Sequence, residues 1–278
     1  MAFNDNAVFT ASTGFIYTAP VGTAAPTPQQ LKNFDPETFG FSSASLKATG
    51  TTEVVFSPQS AQEAKVPATA SAAEVQEALN KKVLGANGDA VVRGNTLKEG
   101  LTVSFLSGRF AVNLPNDVIR VTGAAWSDVT QPSGWEPIGH TANDDLPEFG
   151  YDGGDSETKG SWQKKVLRTI TSETPVDYMT LKAIQFDPDT LEYYYGKNAS
   201  RVANVFGVDS PNASDVERAI LVVLKDGKYS IAFSAAKAGL RRDESISLEN
   251  DEFATLPLRA TFVKHPGRHL FEWTTPAA

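Results

Sequence analysis

The hydrophobic and polar positions of this chain form short strand-like segments bounded by turn residues, a pattern that predicts a β-rich fold. The clearest signal is a hairpin. The runs 219–225 and 228–233 flank Asp226-Gly227, a dipeptide that accepts the positive φ angles of a tight turn. Further strands are predicted by the same pattern at 7–17, 38–56, 135–140, 157–171, 176–186, 244–249 and 256–264.

Three short helices are predicted to interrupt the strands, each beginning at a residue that can cap it. Thr27 precedes Pro28 and Asp187 precedes Pro188, so both places offer a capping oxygen and then a proline suited to the first helical position. Ser71 stands three residues before Glu74, the spacing of a capping box. Gly85 and Gly196 are placed to end the second and third helices.

The middle helix belongs to a compact unit that we predict to span residues 46–122. Its strands are predicted at 53–57, 62–67, 89–93, 101–106 and 117–122. One helix packed on such strands makes a small α+β module. Residues 123–134 contain Gly, Ser and Pro and are interpreted as a linker. The remaining segments, 1–45 and 123–278, are then one domain into which the module is inserted.

Composition narrows the class of protein. Hydrophobic residues make up 41% of the 278 positions, enough for a core, and there is no cysteine, which excludes disulfides and thiolate chemistry. The net charge of −8 argues against tight binding to nucleic acid. No basic region followed by an apolar run appears after Met1, and no apolar run approaches the length of a membrane span. We therefore expect folding in a cytoplasm and no membrane partner.

The search for reactive chemistry identifies no nucleophile elbow, phosphate loop or dinucleotide fingerprint. His265 and His269 are four residues apart, but Pro266-Gly267 between them argues against the helix that would bring them together. The segment 142–158 is rich in carboxylates, yet its spacing does not fit an EF-hand. We interpret 142–158 as a flexible acidic loop, with calcium binding or ordering against a neighbouring subunit as alternatives, and expect no catalytic residue, metal or cofactor.

Several segments together carry a family resemblance: Asn4–Val8, Ala19–Thr27, Trp135–Thr141, Asp145–Asp155, Lys159–Gln163, Leu167-Arg168, Arg241–Asp243, Asp251–Ala254, Leu256–Phe262 and Leu270–Trp273. They resemble the major tail proteins, or tail tube proteins, of siphophages that infect mycobacteria and related actinobacteria. The unit at 46–122 is similar to a small β-rich module of phage tail and surface proteins, and we expect it to be a decoration that varies between relatives.

The resemblance implies a mainly β (α+β) protein with the tail-tube β-sandwich fold, whose strands form a barrel with those of its neighbours and which has one short helix besides the inserted module. It implies a structural subunit, not an enzyme, that builds stacked hexameric rings as the conduit for DNA ejection. The implied partners are other copies, the tape measure and tail terminator proteins during assembly, and double-stranded DNA in passage. The implied location is the virion tail, after assembly in the host cytoplasm.

Contacts within and between rings are expected in the acidic loop 142–158, the strands 157–171 and 176–186, and the charge cluster at 241–243. The candidate residues are Asp144, Asp145, Glu148, Phe149, Tyr151, Asp152, Asp155, Glu157, Trp162, Arg168, Arg241, Arg242 and Asp243. A solvated turn is the alternative interpretation of 241–243. We also expect acidic side chains in the lumen to repel DNA phosphates.

Two other functions are compatible with parts of the pattern. The module alone would fit a host-binding, adhesin-like β protein of a virion surface. A hydrolase using Asp152 and Asp155 as paired acids is the enzymatic alternative, but the glycines between them make a poor rigid scaffold for such a pair.

Overall fold

The chain divides into two compact units: a sheet domain, formed by Met1–Asn33 and Glu136–Ala278, and an insert, formed by Phe34–Trp135. The structure is a computed structural model. It describes residues 8–50, 52–58, 62–85, 89–106, 119–143, 145–171, 174–197, 199–202, 205–210, 214–227, 229–248 and 250–276.

Strands dominate both units, which confirms the expected mainly β fold. In chain order they are β1 (Thr13–Ala19), β2 (Ser42–Ala48), β3 (Glu53–Pro58), β4 (Ala64–Pro67), β5 (Ala90–Arg93), β6 (Leu101–Phe105), β7 (Ile119–Thr122), β8 (Ala124–Thr130), β9 (Glu136–Pro137), β10 (Glu148–Asp152), β11 (Ser156–Ser161), β12 (Lys164–Thr171), β13 (Val176–Ala183), β14 (Ala199–Val202), β15 (Val205–Val208), β16 (Val216–Asp226), β17 (Tyr229–Arg242), β18 (Leu256–Phe262) and β19 (Glu272–Thr274). The helices are α1 (Pro28–Lys32), α2 (Ala72–Ala78), which continues into a π-helical segment (Leu79–Leu84), and α3 (Pro188–Tyr195).

The sheet domain is built on one eight-stranded antiparallel sheet. Seven strands follow the order β10-β13-β18-β17-β16-β1-β9, and β19 also pairs with β17. Strand β17 is long enough to pair along one side with both β18 and β19, while its other side pairs with β16. The predicted hairpin is confirmed as β16 and β17. Because Asp226 pairs with Tyr229, its loop begins at Gly227, one residue later than predicted.

Aromatic and aliphatic side chains fill the core of the sheet domain around β17. Phe233 is buried and lies 4.6–5.5 Å, between ring centroids, from Phe149, Phe262, Phe271 and Trp273. Helix α3 also contributes to this core, and the hydroxyls of its Tyr193 and of Thr18 are hydrogen-bonded at 2.9 Å. The α3 caps are those predicted: Asp187 accepts from the amides of Asp189 and Thr190, and Gly196 follows the last turn.

Phe233→Ala should lower the free energy of unfolding of the sheet domain by about 3–5 kcal/mol, because it removes a ring packed against four others and leaves a cavity. Thermal or urea unfolding followed by tryptophan fluorescence measures this loss. Phe253→Ala is the matched control, since Phe253 is 81% exposed and its removal should change stability by about 0.5 kcal/mol or less. Equal effects of the two changes would contradict this account of the core.

The insert has a separate core between two small antiparallel sheets and a helix. The sheets have the strand orders β5-β6-β2-β8 and β4-β3-β7. Ser71 and Glu74 form the predicted capping box of α2, and the hydrogen bonds from the Ser71 backbone and side chain lower the pKa of Glu74. Val75, Leu79 and Val83 turn into the core as the helical periodicity predicted. The insert thus contains the elements that a self-supporting module needs.

The observed boundaries of the insert are wider than the predicted 46–122. Residues 123–134 are not a linker, because β8 pairs with β2 and the ring of Trp126 lies 6.1 Å from that of Phe105. Strand β2 also joins β6, which draws the residues before Leu46 into the same unit. The segment Ala124–Thr130 has the alternation of a strand, but the Gly, Ser and Pro residues around it are typical of a linker and led to that interpretation.

Three further sequence predictions were wrong in the sheet domain. The segment 157–171 is not one strand but a hairpin, with Trp162 and Gln163 between β11 and β12. The segment 142–158 is not a continuous loop, because Glu148–Asp152 form β10 and pair with β13. In the region 244–249 the described residues form only an isolated bridge between Ser247 and Thr255.

Candidate assembly surfaces

Residues 156–171 form a two-stranded ribbon that is not part of the main sheet of the sheet domain. Strands β11 and β12 pair with each other and form a separate sheet, and every side chain from 156 to 170 is exposed. Trp162 at the tip is 100% exposed, and Val166 and Leu167 are also largely open. An isolated hairpin is only marginally stable in water, so this ribbon has the character of a segment that is completed by another molecule.

The ribbon continues from one edge of the main sheet. Within the described residues β10 pairs only with β13, so one side of its backbone is open. The link from β10 to the ribbon contains Gly153 and Gly154, with φ angles of 76° and 79°, which other residues rarely adopt. Strand β9, at the opposite end of the strand order, is also an edge. Open edges of this kind are templates for pairing with another chain.

One face of the β10-β13-β18-β17 region carries charged side chains linked by Arg259. The guanidinium of Arg259 forms ion pairs with Asp152, on β10, and Asp243, just after β17. It also lies over the ring of Tyr178, 3.5 Å from the centroid. Gly150 is needed opposite that ring, because a Cβ there would come within 2.7 Å of it. Arg259 therefore ties together strands that are distant in the sequence.

An acid-lined groove of about 370 Å³ lies beside this network. We call it the acidic groove and define it by Asp145, Glu148, Asp243 and Glu244, with Tyr178 and Lys182 among its other lining residues. Lys182 forms an ion pair with Asp145. Among the described residues, the carboxylates of Glu148 and Glu244 make no ion pair. The hydroxyl of Tyr194 donates to the backbone oxygen of Glu244 at 2.7 Å, and burial raises the pKa of Tyr194, which keeps that donor protonated.

The structure places the predicted contact residues in two groups. The first surrounds the end of the main sheet and comprises Asp145, Glu148, Phe149, Tyr151, Asp152, Arg241, Arg242 and Asp243. The second is the ribbon, with Glu157, Trp162 and Arg168. Asp155 lies in the link between the groups, and Asp144 lies outside the described residues.

Sequence reasoning missed the residues that organise the first group, Arg259 and Tyr178. A signal was present for Arg259, since it is the one charged residue in the otherwise uncharged segment 256–262. A charged residue in such a strand indicates a partnered site. Tyr178 gave no signal, because its role depends on the register that places it opposite Gly150.

The comparisons with known proteins decide the family. The family model described as phage tail tube protein matches residues 1–91 and 114–278. The chain belongs to the phage tail tube protein family. The major tail protein Gp23 of Mycobacterium phage D29 is 34% identical over 273 residues, which is 98% of this chain and 93% of that protein. The protein of the same name from Mycobacterium phage L5 is 34% identical over 276 residues, with the same coverage.

These matches confirm the resemblance read from the sequence. Because the alignments cover 98% of the chain, the insert is shared with these relatives and is not confined to this chain. The family model omits only residues 92–113, a stretch that includes β6. Membership of the family makes the protein a structural subunit of the phage tail tube and a component of the virion tail.

Two further observations concern the described part of the chain alone. No helix there has the length and apolar character needed to cross a bilayer. No group of three or more His, Asp or Glu side chains there is arranged to hold a metal ion. The family is one of structural tail proteins.

Proposed function

We propose that this tail tube subunit closes into hexameric rings, and that the rings stack into the conduit through which DNA leaves the virion. The observation that carries the proposal is the open edge of β10 that continues into the freestanding ribbon. An open edge and an unsupported hairpin are both unfavourable in a monomer, and both are completed when copies join side by side and end to end.

Purified protein at high concentration, or nucleated by a tail initiator complex, should form hollow tubes of stacked six-fold rings. Cryo-electron microscopy measures the symmetry directly, and analytical ultracentrifugation follows the loss of free subunit. A protein that stays monomeric under both conditions, or that forms rings of another symmetry, would overturn the corresponding part of the proposal.

The charge of the chain supports a passage role for the tube. With a net charge of −8, copies assembled around a channel favour a wall that repels the phosphates of passing DNA. We further propose that the tube contacts the tape measure protein and the tail terminator protein during assembly. Pull-down of assembled tubes with each of these proteins from the same phage tests those two contacts.

The insert belongs, in this proposal, on the outer surface of the tube. Its core is its own, and it enters and leaves the sheet domain near Asn33 and Glu136. A unit of roughly a hundred residues, repeated six times, would block a channel or separate stacked rings, whereas the outside of a tube has room for it. There it is free to decorate the tube or to contact neighbouring copies.

A further inference from the structure

The ribbon is basic although the chain is acidic. Residues 156–171 contain one carboxylate, Glu157, and four basic residues, Lys159, Lys164, Lys165 and Arg168, for a net charge of +3. The rest of the chain therefore carries −11. Lys159 is 3.4 Å from Glu157. Among the described residues, Lys164, Lys165 and Arg168 make no ion pair, so the ribbon carries three exposed cations, of which Lys164 and Lys165 are close to the exposed Trp162 at the tip.

The acidic groove offers the opposite charge. Its four carboxylates face two cations, Lys182 in the lining and Arg259 paired with Asp243, so these groups sum to a charge of −2. Its lining also includes Tyr178, whose ring lies under the guanidinium of Arg259. An acidic surface of this kind suits a basic partner, because charge attraction guides their encounter.

The groove of the same copy is poorly placed to receive the ribbon. From the start of β11 at Ser156 to the tip at Trp162 the ribbon extends for six residues, about 20 Å of strand. Glu148 lies at the opposite end of β10 from the link. Returning to it would require the ribbon to reverse direction within the link. A second copy presents the same groove without that reversal.

We propose that the tip of the ribbon docks in the acidic groove of a second copy, with Lys164 and Lys165 against Glu148 and Glu244. This inference rests on the proposed assembly into a tube and identifies one contact that holds it. The contact is electrostatic and largely exposed before docking. Assembly should therefore weaken as salt rises from about 0.1 M to 1 M, where the Debye length falls from about 10 Å to about 3 Å.

Charge exchange tests the pairing. Lys164→Glu with Lys165→Glu, and separately Glu148→Lys with Glu244→Lys, should each raise the critical concentration for tube formation about tenfold or more. Combining all four changes should restore it to within about threefold of the wild type. The control is Lys82→Glu with Lys98→Glu, on exposed positions of the insert, which makes the same change in net charge and should have little effect. Circular dichroism confirms that each variant is folded.

Crosslinking tests the geometry independently. Since the chain has no cysteine, Gln163→Cys combined with Glu244→Cys introduces the only two thiols. Mild oxidation of assembled tubes should give a ladder of covalent multimers under denaturing conditions, and neither single variant should give one.

Tubes that form normally but show neither the ladder nor the charge exchange effect would overturn the docking and leave the tube function intact. Failure of the wild-type protein to form tubes under any condition would instead overturn the proposed function. Unchanged assembly of the Lys164→Glu and Lys165→Glu variant together with weaker retention of DNA would assign the ribbon to DNA, and would also overturn the docking.

Discussion

Replacement of residues 156–171 by a short Gly/Ser turn should yield a folded, soluble subunit that forms no tubes. The ribbon is a separate sheet with exposed side chains, so its loss removes little from the core of the sheet domain. The melting temperature should stay within about 2 °C of the wild-type value. Assembly should fail, because the deletion removes the segment that is proposed to dock on a second copy and whose side chains from 156 to 170 are all exposed.

Electron microscopy and sedimentation velocity measure this effect together. The matched control replaces the two tip residues only, Trp162 and Gln163, with Gly and Ser, and should weaken assembly without abolishing it. Normal tubes from the deleted subunit would show that the ribbon is not part of the contacts between copies, whatever its charge.

Deletion of the insert should have the second largest effect, and of a different kind. Replacing residues 36–133 with a flexible linker should leave tube formation intact while the outer diameter shrinks by some tens of ångströms, since a domain of about a hundred residues is roughly 30 Å across. The reason is that each unit buries its own core. The lumen diameter should not change.

Cryo-electron microscopy of the deleted tubes gives both diameters in one measurement. Phe56→Ala in the full-length chain is a useful comparison, because it disrupts the core of the insert without removing its bulk. A deleted subunit that is folded and soluble, yet unable to assemble, would show that the insert takes part in the ring and that its proposed outer position is wrong.

Local chemistry explains which parts of the fold the sequence predicted well. The N-caps at Thr27, Ser71 and Asp187 depend on residues within three positions of one another, so a single sequence contains all the information. The hairpin of β16 and β17 is similar, because its apolar runs and its Asp-Gly turn are neighbours. The one-residue difference in its loop reflects a register that is set along ten residue pairs and not by the turn alone.

The elements that the sequence did not predict lack such local signals. Strand β8 is a strand because β2 lies beside it, some eighty residues earlier, and its own composition resembles a linker. The turn at Trp162-Gln163 has neither Gly nor Pro, so nothing marked the break between β11 and β12. The acidic residues of β10 indicated a loop, because an exposed edge strand carries few of the apolar residues by which strands are recognised.

The candidate contact residues were predicted only as a set, and the sequence did not show that they form two groups. Charge pattern and family resemblance selected Asp152, Arg168 and Asp243, among others. The division depends on the ion pairs of Arg259, which connect positions about a hundred residues apart. Ion pairs between residues far apart in the sequence are seen in a structure, because the spacing of residues along the chain does not show which of them meet.

The pairing of β1 with β16 sets an order of events during synthesis. Thr13 lies opposite Lys225, so the first strand waits for a partner made about 200 residues later. At a translation rate of roughly 5–20 residues per second the delay is about 10–40 s. The insert is complete long before then and can fold first. We expect that a nascent chain ending before β18 cannot complete the main sheet, because β18 joins β13 to β17. This order would delay polymerisation until nearly the whole subunit has been made.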